Sequence, residues 1–342
     1  MSVTGIANSW LPFDHDLVCD GCPYRLNGKC DGQQDATAES FSMNDDSVVG
    51  CLNSQRQIEH FSNLQSLSSP SQISHDSELQ LPEIIFGIND GFKDFPPFAE
   101  DDYFSISFKT LFDEKGFFKY KNSRNLRKAL RISESAKLAL ICTALDPRLE
   151  IFWHKTKSTD AWRRIADFQF EFSTSLSFSV YDNNPRFDHI FNRERNFVSH
   201  DLLLLSGVNS IPFIFFYNDK DFNEAVSWLK NRPDITKVAI HAQQTIARTA
   251  IANMVLAMNA LQGAVGRDLY FVVVGVFKIL KCVSLKRKFP KLTVVTSSPL
   301  YKASCGEKLF SDLSSKTLPK TIPNTDLAVP NINTFREFYS AI

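Results

Sequence analysis

No apolar run in the 342-residue sequence is long enough to cross a membrane: the longest, near 210–217 and 269–279, fall well short of about 20 residues. No membrane partner is expected. The first residues, Met-Ser-Val-Thr-Gly-Ile-Ala-Asn-Ser-Trp, lack the basic start and apolar centre of a secretory signal, so a reducing, cytoplasmic setting is expected. In that setting the seven cysteines read as thiols or metal ligands rather than disulfides. Also missing are a Gly-x-x-x-x-Gly-Lys-Ser/Thr loop, a Gly-x-Gly-x-x-Gly fingerprint, a His-Glu-x-x-His pair and a Gly-x-Ser-x-Gly elbow. The familiar motifs for ATP hydrolysis, dinucleotide redox chemistry and serine hydrolysis therefore find no support.

What is present is a large apolar inventory, 43% of residues with 30 Phe, ample for a sizeable core. Lysine plus arginine balance aspartate plus glutamate at 38 each. That balance hides a split, because residues 1–110 hold 17 acidic and 5 basic side chains. The remainder is basic, which fits either contact between the two segments or a polyanionic partner.

Three regions differ in character. Residues 1–31 carry a cysteine cluster, and 32–80 are rich in Gln, Ser, Asn and Asp, as a flexible linker or insert would be. From 81 to 342, apolar runs of strand length alternate with stretches of helical period. Eight strands are expected at 83–88, 104–108, 138–143, 175–181, 212–217, 237–241, 269–276 and 292–296. Helices are expected at 123–133, 158–166, 189–205, 221–230, 243–261 and 278–288, with Ser158 as a cap and Asp219 and Asp221 in a first turn. The expected fold class is α/β, a (β/α)8 TIM-like barrel with a small N-terminal Cys-rich module, and a doubly wound sheet is the alternative.

Cys19 and Cys22, two residues apart around Asp20 and Gly21, can place two thiolates on one ion, with Cys30 and Cys51 as third and fourth ligands. Zinc suits such a set; an iron-sulfur cluster or free thiols are the alternatives. In a barrel, the residues just past each strand gather on one rim. Those positions hold Asp90, Asp146, Asp182, Asn218, Asp219, His241 and Gln243. Carboxylates, an amide and an imidazole there could grip a heterocycle and move a proton, although Asp and Asn also cap helices at such places. Two basic stretches could neutralise phosphates, or could be solvated helix faces: Lys119, Lys121, Arg124, Arg127, Lys128 and Arg131, and Lys278, Lys281, Lys286, Arg287, Lys288 and Lys291.

The closing segment carries a resemblance. Gly275-Val276, a helix, then Pro299, Ala303, Gly306 and Leu309-Phe310 follow the order and spacing of the tRNA-guanine transglycosylase family, which this chain resembles over about 81–310. The resemblance implies a barrel that acts on or binds a nucleobase in DNA or RNA. It implies acid or base catalysis for Asp146 and base recognition for Asp182, while Tyr217-Asn218 replace the family's base-reading Gln-Gly-Gly and His241-Ala242 its Gly-Gly; from their places on the rim, His241 is expected beside Asp146 in catalysis, and Asn218, Gln243 and Gly275 at the substrate. The sequence departs from the family where its nucleophilic aspartate should stand: Val295, Thr296, Ser297 and Ser298 occupy those positions. The family's C-terminal zinc site is also missing, since no cysteine follows Cys305. A catalytically inactive barrel serving as an interaction scaffold is the alternative function.

Overall fold

Short parallel strands with both faces buried need cover on each side, and the chain provides it by closing them on themselves inside a shell of helices. The computed structural model describes residues 79–88, 103–156, 159–178, 186–216, 219–242, 250–276, 278–319 and 321–342. Its strands are β1 (Ile84–Ile88), β2 (Tyr103–Ser107), β3 (Lys137–Ile141), β4 (Phe172–Thr174), β5 (Ser210–Ile211), β6 (Lys237–His241), β7 (Tyr270–Val274) and β8 (Leu292–Thr296). They form one parallel sheet in the order β5-β4-β3-β2-β1-β8-β7-β6. The outer strands meet at a seam, where Phe213 bridges Ala239 in parallel, the Ala239 amide donates to Pro212 O at 2.8 Å and the Ile214 amide to Ala239 O at 3.0 Å. The sheet is thus a TIM-like barrel rather than an open doubly wound sheet.

The helices are α1 (Phe108–Leu111), α2 (Ser123–Leu130), α3 (Asp146–Thr156), α4 (Ala161–Ala166), α5 (Arg186–Leu205), α6 (Asp219–Lys230), α7 (Ala250–Val265), α8 (Ile279–Lys288), α9 (Ser298–Ser304) and α10 (Ala328–Ser340). A hairpin of β9 (Glu307–Leu309) and β10 (Ser315–Thr317) lies between α9 and α10. Alternation along the strands divides the core in two. One set of apolar residues packs between sheet and helices, among them Phe86, Phe104, Leu138, Val273 and Val294. The other fills the barrel interior with Ile85, Tyr103, Ala139, Ile141, Phe172, Ile211, Phe213, Ala239, Val272, Val274 and Val295. The interior is a packed core and leaves no room for a pore.

Strands four and five depart from expectation. The expected strand at 175–181 is found upstream at Phe172–Thr174, and in place of that at 212–217 stands a two-residue strand just before it, Ser210–Ile211. The cause is a run of hydroxyls, Ser173-Thr174-Ser175, whose side chains compete with the backbone ladder. Thr174 Oγ1 accepts from the Cys142 amide and Ser175 Oγ from the Phe213 amide, both at 2.8 Å. Beyond them α5 takes over, with Ser199 Oγ accepting from the Leu176 amide at 2.9 Å and Asn196 Oδ1 from the Phe178 amide at 3.0 Å. That explains why buried α5 carries Asn196 and Ser199, whereas Asn192 Oδ1 accepts from Arg195 on the same helix.

Four helices were not expected: the short α1 directly after β2, and α3, α9 and α10. Asp146-Pro147 opens α3 with an acid and a proline in its first turn, and Leu149, Phe152 and Trp153 bury one face. α9 also has a proline in its first turn, Pro299, but no acid, and α10 packs its Phe335 ring 6.3 Å from that of Phe86. The expected cap at Ser158 lies outside the described residues; α4 is preceded by Asp160, whose side chain makes no capping bond. Asp219 and Asp221 do stand in the first turn of α6.

Candidate functional site

The carboxyl ends of the strands form the rim where a barrel carries its chemistry. His241 is the last residue of β6, on the inward register with Ala239, and its ring lies 6.2 Å from that of Phe213 across the seam. Burial drives the imidazole's pKa down to about 4. At neutral pH it is an uncharged ring with one N–H donor and one acceptor, not a cation.

On the opposite side of the rim, β1, β2 and β8 bring small residues together. A Cβ at Gly87 would lie 3.5 Å from the Ser297 Cβ and 3.8 Å from Ser105 Oγ, so these three positions share one corner of the interior. Ser107 at the end of β2 pairs its hydroxyl with that of Thr110 at 3.3 Å. Gly87, Ser105 and Phe213 were not singled out from the sequence, and Ser297 was named only as one of four positions where the resemblance places a nucleophile. Their signal was the two-residue alternation with the inward residues Ile85, Tyr103, Val295 and Ile211.

Gly275 follows β7 with φ +83°, a left-handed conformation that favours glycine, and its amide donates to Val295 O at 3.2 Å. It turns the chain off the rim beside β8. Asp146 is the first residue of α3, five positions beyond the end of β3, and is buried there. A carboxylate at that end is favoured by the helix dipole. Asp182, Asn218, Gln243 and the four cysteines Cys19, Cys22, Cys30 and Cys51 lie outside the described residues, as do residues 1–31 and all but the last two of 32–80.

The four positions 295–298 have separate fates. Val295 is packed in the interior, while Thr296 Oγ1 donates to Val276 O at 2.7 Å and accepts from the Ser298 amide at 3.2 Å. Ser298 is buried at the start of α9, and Ser297 is half-buried at the rim. Nor do the core thiols offer a nucleophile: burial pushes Cys142 and Cys282 up to about 12, so both stay protonated. Among the described residues, no group of three or more His, Cys, Asp or Glu could hold a metal ion. No described helix is long and apolar enough to cross a membrane.

The two basic stretches are partly consumed by the fold. Arg127 Nη1 donates to Ser133 O and Ala136 O at 2.7 and 2.8 Å, and buried Lys286 donates to Glu83 at 2.6 Å and Tyr339 O at 2.7 Å. Lys121, Lys128, Arg131, Lys278, Arg287 and Lys288 remain exposed. The helices that bear the two sets follow β2 and β7, which are separated in the sheet by β1 and β8.

The fold and rim define an α/β barrel of TIM-like architecture. No protein-family model matches the chain, and no curated protein matches it.

Proposed function

We propose that the protein is a nucleic-acid-associated barrel that holds a planar, uncharged heterocycle such as a nucleobase at its carboxyl rim. The observation that carries this reading is His241: an inward imidazole at a strand end, kept neutral by burial and flanked by the Phe213 ring. A neutral ring presents a donor and an acceptor, and an adjacent aromatic gives a base an apolar surface to rest on. In this reading Asp146 supplies acid or base character, and Asp182, Asn218 and Gln243 complete base recognition. Exposed Lys121 and Lys278 contact phosphates, and a zinc-holding module of Cys19, Cys22, Cys30 and Cys51 sits ahead of the barrel.

Recognition is favoured over base exchange through a covalent sugar intermediate. That route needs an activated nucleophile, and here Thr296 is spent on Val276 O while no carboxylate stands at positions 295–298. The scaffold alternative draws on the same observation.

Electrophoretic mobility shift at low salt with tRNA and with single- and double-stranded DNA tests the reading. A shift that His241→Gln weakens several-fold is expected, together with no incorporation of labelled guanine. Folded protein that shifts none of the three would overturn it.

A further inference from the structure

The outward face of α8 carries charge of one sign. No acidic residue occurs between Asp268 and Glu307, so neither α8 nor its flanks supply a carboxylate to pair with. Lys286 turns inward to Glu83 and Tyr339 O. What faces outward is Leu280, Lys281, Ser284, Arg287 and Lys288, with Leu280 71% exposed. Among the described residues, no carboxylate pairs with Lys281, Arg287 or Lys288. An exposed leucine among unpaired cations marks a surface suited to an acidic partner with some apolar side chains.

The chain reaches this helix directly from its acidic end. Residues 31–78 hold 8 Asp and Glu against one basic side chain, Arg56. Leu79 and Gln80, the first described residues, line one hollow with Lys291, which lies just past the end of α8. By Glu83 the chain is bonded to α8 itself, through Lys286 at 2.6 Å. Asp76 and Glu78 stand just ahead of Leu79, so the acidic run enters the fold beside the end of α8 that bears Arg287 and Lys288. At about 3.3 Å per extended residue, the stretch from Glu59 to Leu79 spans far more than the ~15 Å length of α8, so acids further back also reach Lys281. The same run offers Phe61, Leu64 and Leu67 as apolar partners for Leu280.

We propose that residues 31–78 dock on the outward face of α8 in the same chain, their carboxylates meeting Lys281, Arg287 and Lys288 and their apolar side chains covering Leu280. The chain thereby occupies a face that would otherwise be open to a polyanion. The contact is independent of the rim and of His241, so its failure would leave the nucleobase reading standing. Being a surface contact between charges, it weakens as salt rises.

Zero-length carbodiimide coupling in the nuclease-treated full chain, read by mass spectrometry, tests this. Amide links from Lys281 and Lys288 to carboxylates within 31–78 are expected at low salt, falling about tenfold at about 0.5 M salt. An equal mixture of isotope-labelled and unlabelled chains separates the occupants. Links within one chain support the proposal, and links only between differently labelled chains would assign the face to a second copy and overturn it. Neutralising the run with Asp45→Asn, Asp46→Asn, Glu59→Gln, Asp76→Asn and Glu78→Gln should tighten heparin binding about fivefold at low salt. Adding Lys281→Glu and Lys288→Glu, both on the outward face, should abolish that gain. Absence of links to 31–78, unchanged heparin affinity on neutralisation, or a gain that survives the two reversals would each overturn the proposal.

Discussion

Arg195 donates to both carboxylate oxygens of Glu150, each at 2.7 Å, while its guanidinium carbon lies 3.5 Å from the centre of the Phe178 ring. The arginine side chain is fully buried, and the pair ties α5 to α3 behind the segment that leaves β4. Removing one partner of a buried pair strands the other, which costs about 3–5 kcal/mol. Arg195→Met should therefore lower unfolding stability by about 3 kcal/mol in urea titrations. The double variant with Glu150→Leu should recover part of that loss, and strict additivity of the two single changes would show that the pair is not coupled.

His241 gives a pH dependence with a definite sign. In the folded chain it stays neutral down to about pH 4 because burial penalises the imidazolium. Unfolded, it titrates near 6.5. Between those values the unfolded chain holds the extra proton, so the contribution is fully present above about pH 6.5 and falls away toward pH 4, by at most ~3 kcal/mol. Burial moves Asp201 and Glu194 the other way, so the measurement is the difference between wild type and His241→Gln. Stability of the variant should decline less steeply over that window; parallel curves would contradict a neutral His241.

Thr296 separates structure from chemistry at the exit of β8. Its hydroxyl joins Val276 O to the Ser298 amide, linking the exits of β7 and β8. Thr296→Val should cost about 1–3 kcal/mol, since two buried backbone groups lose their partner. Nucleic-acid binding by the folded variant should be unchanged at low denaturant, whereas a selective loss would place the hydroxyl in the site.

Asn331 does for the C-terminal segment what Thr296 does for the rim. Its Oδ1 accepts from the Leu309 amide at 2.8 Å, and Nδ2 donates to Glu307 O at 2.8 Å and Pro299 O at 3.2 Å. The side chain is fully buried. Asn331→Ala should destabilise the chain by about 2–3 kcal/mol and raise hydrogen exchange in β9 ahead of β1. Uniform acceleration across the barrel would mean that the hairpin does not open by itself.

The barrel seam should be its weakest line. One bridge, Phe213 to Ala239, joins β5 to β6, whereas β2 and β3 are paired over five successive residues from Tyr103–Lys137 to Ser107–Ile141. Native-state hydrogen exchange should find the Ile214 and Ala239 amides opening at lower free energy than those of Ile106 and Leu140. Equal protection would place the strength of the seam in side-chain packing rather than in the ladder.

Much of the fold was legible because a buried parallel strand leaves an unbroken apolar run. Lys237–His241 and Leu292–Thr296 occur within the bounds expected from the sequence. The fourth strand was misplaced, since residues 175–181 look extended in sequence while the Leu176 and Phe178 amides bond to Ser199 and Asn196 on a helix 18 or more residues away. The site was less legible than the fold. His241 could be named from its place at a strand end, but its neutrality depends on burial, and Gly87, Ser105 and Ser297 meet only when β1, β2 and β8 are laid side by side.

The sequence by itself determined the alternation of strands and helices and the absence of a carboxylate at positions 295–298, because these depend on residue type and on spacing along the chain. The tertiary structure alone decided which hydroxyls are spent on backbone groups, and which basic residues are buried in ion pairs and which stay exposed. Those outcomes depend on neighbours remote in sequence, as with Lys286 and Glu83 or Thr293 and Pro82, and closure of the barrel is what brings them within hydrogen-bonding distance.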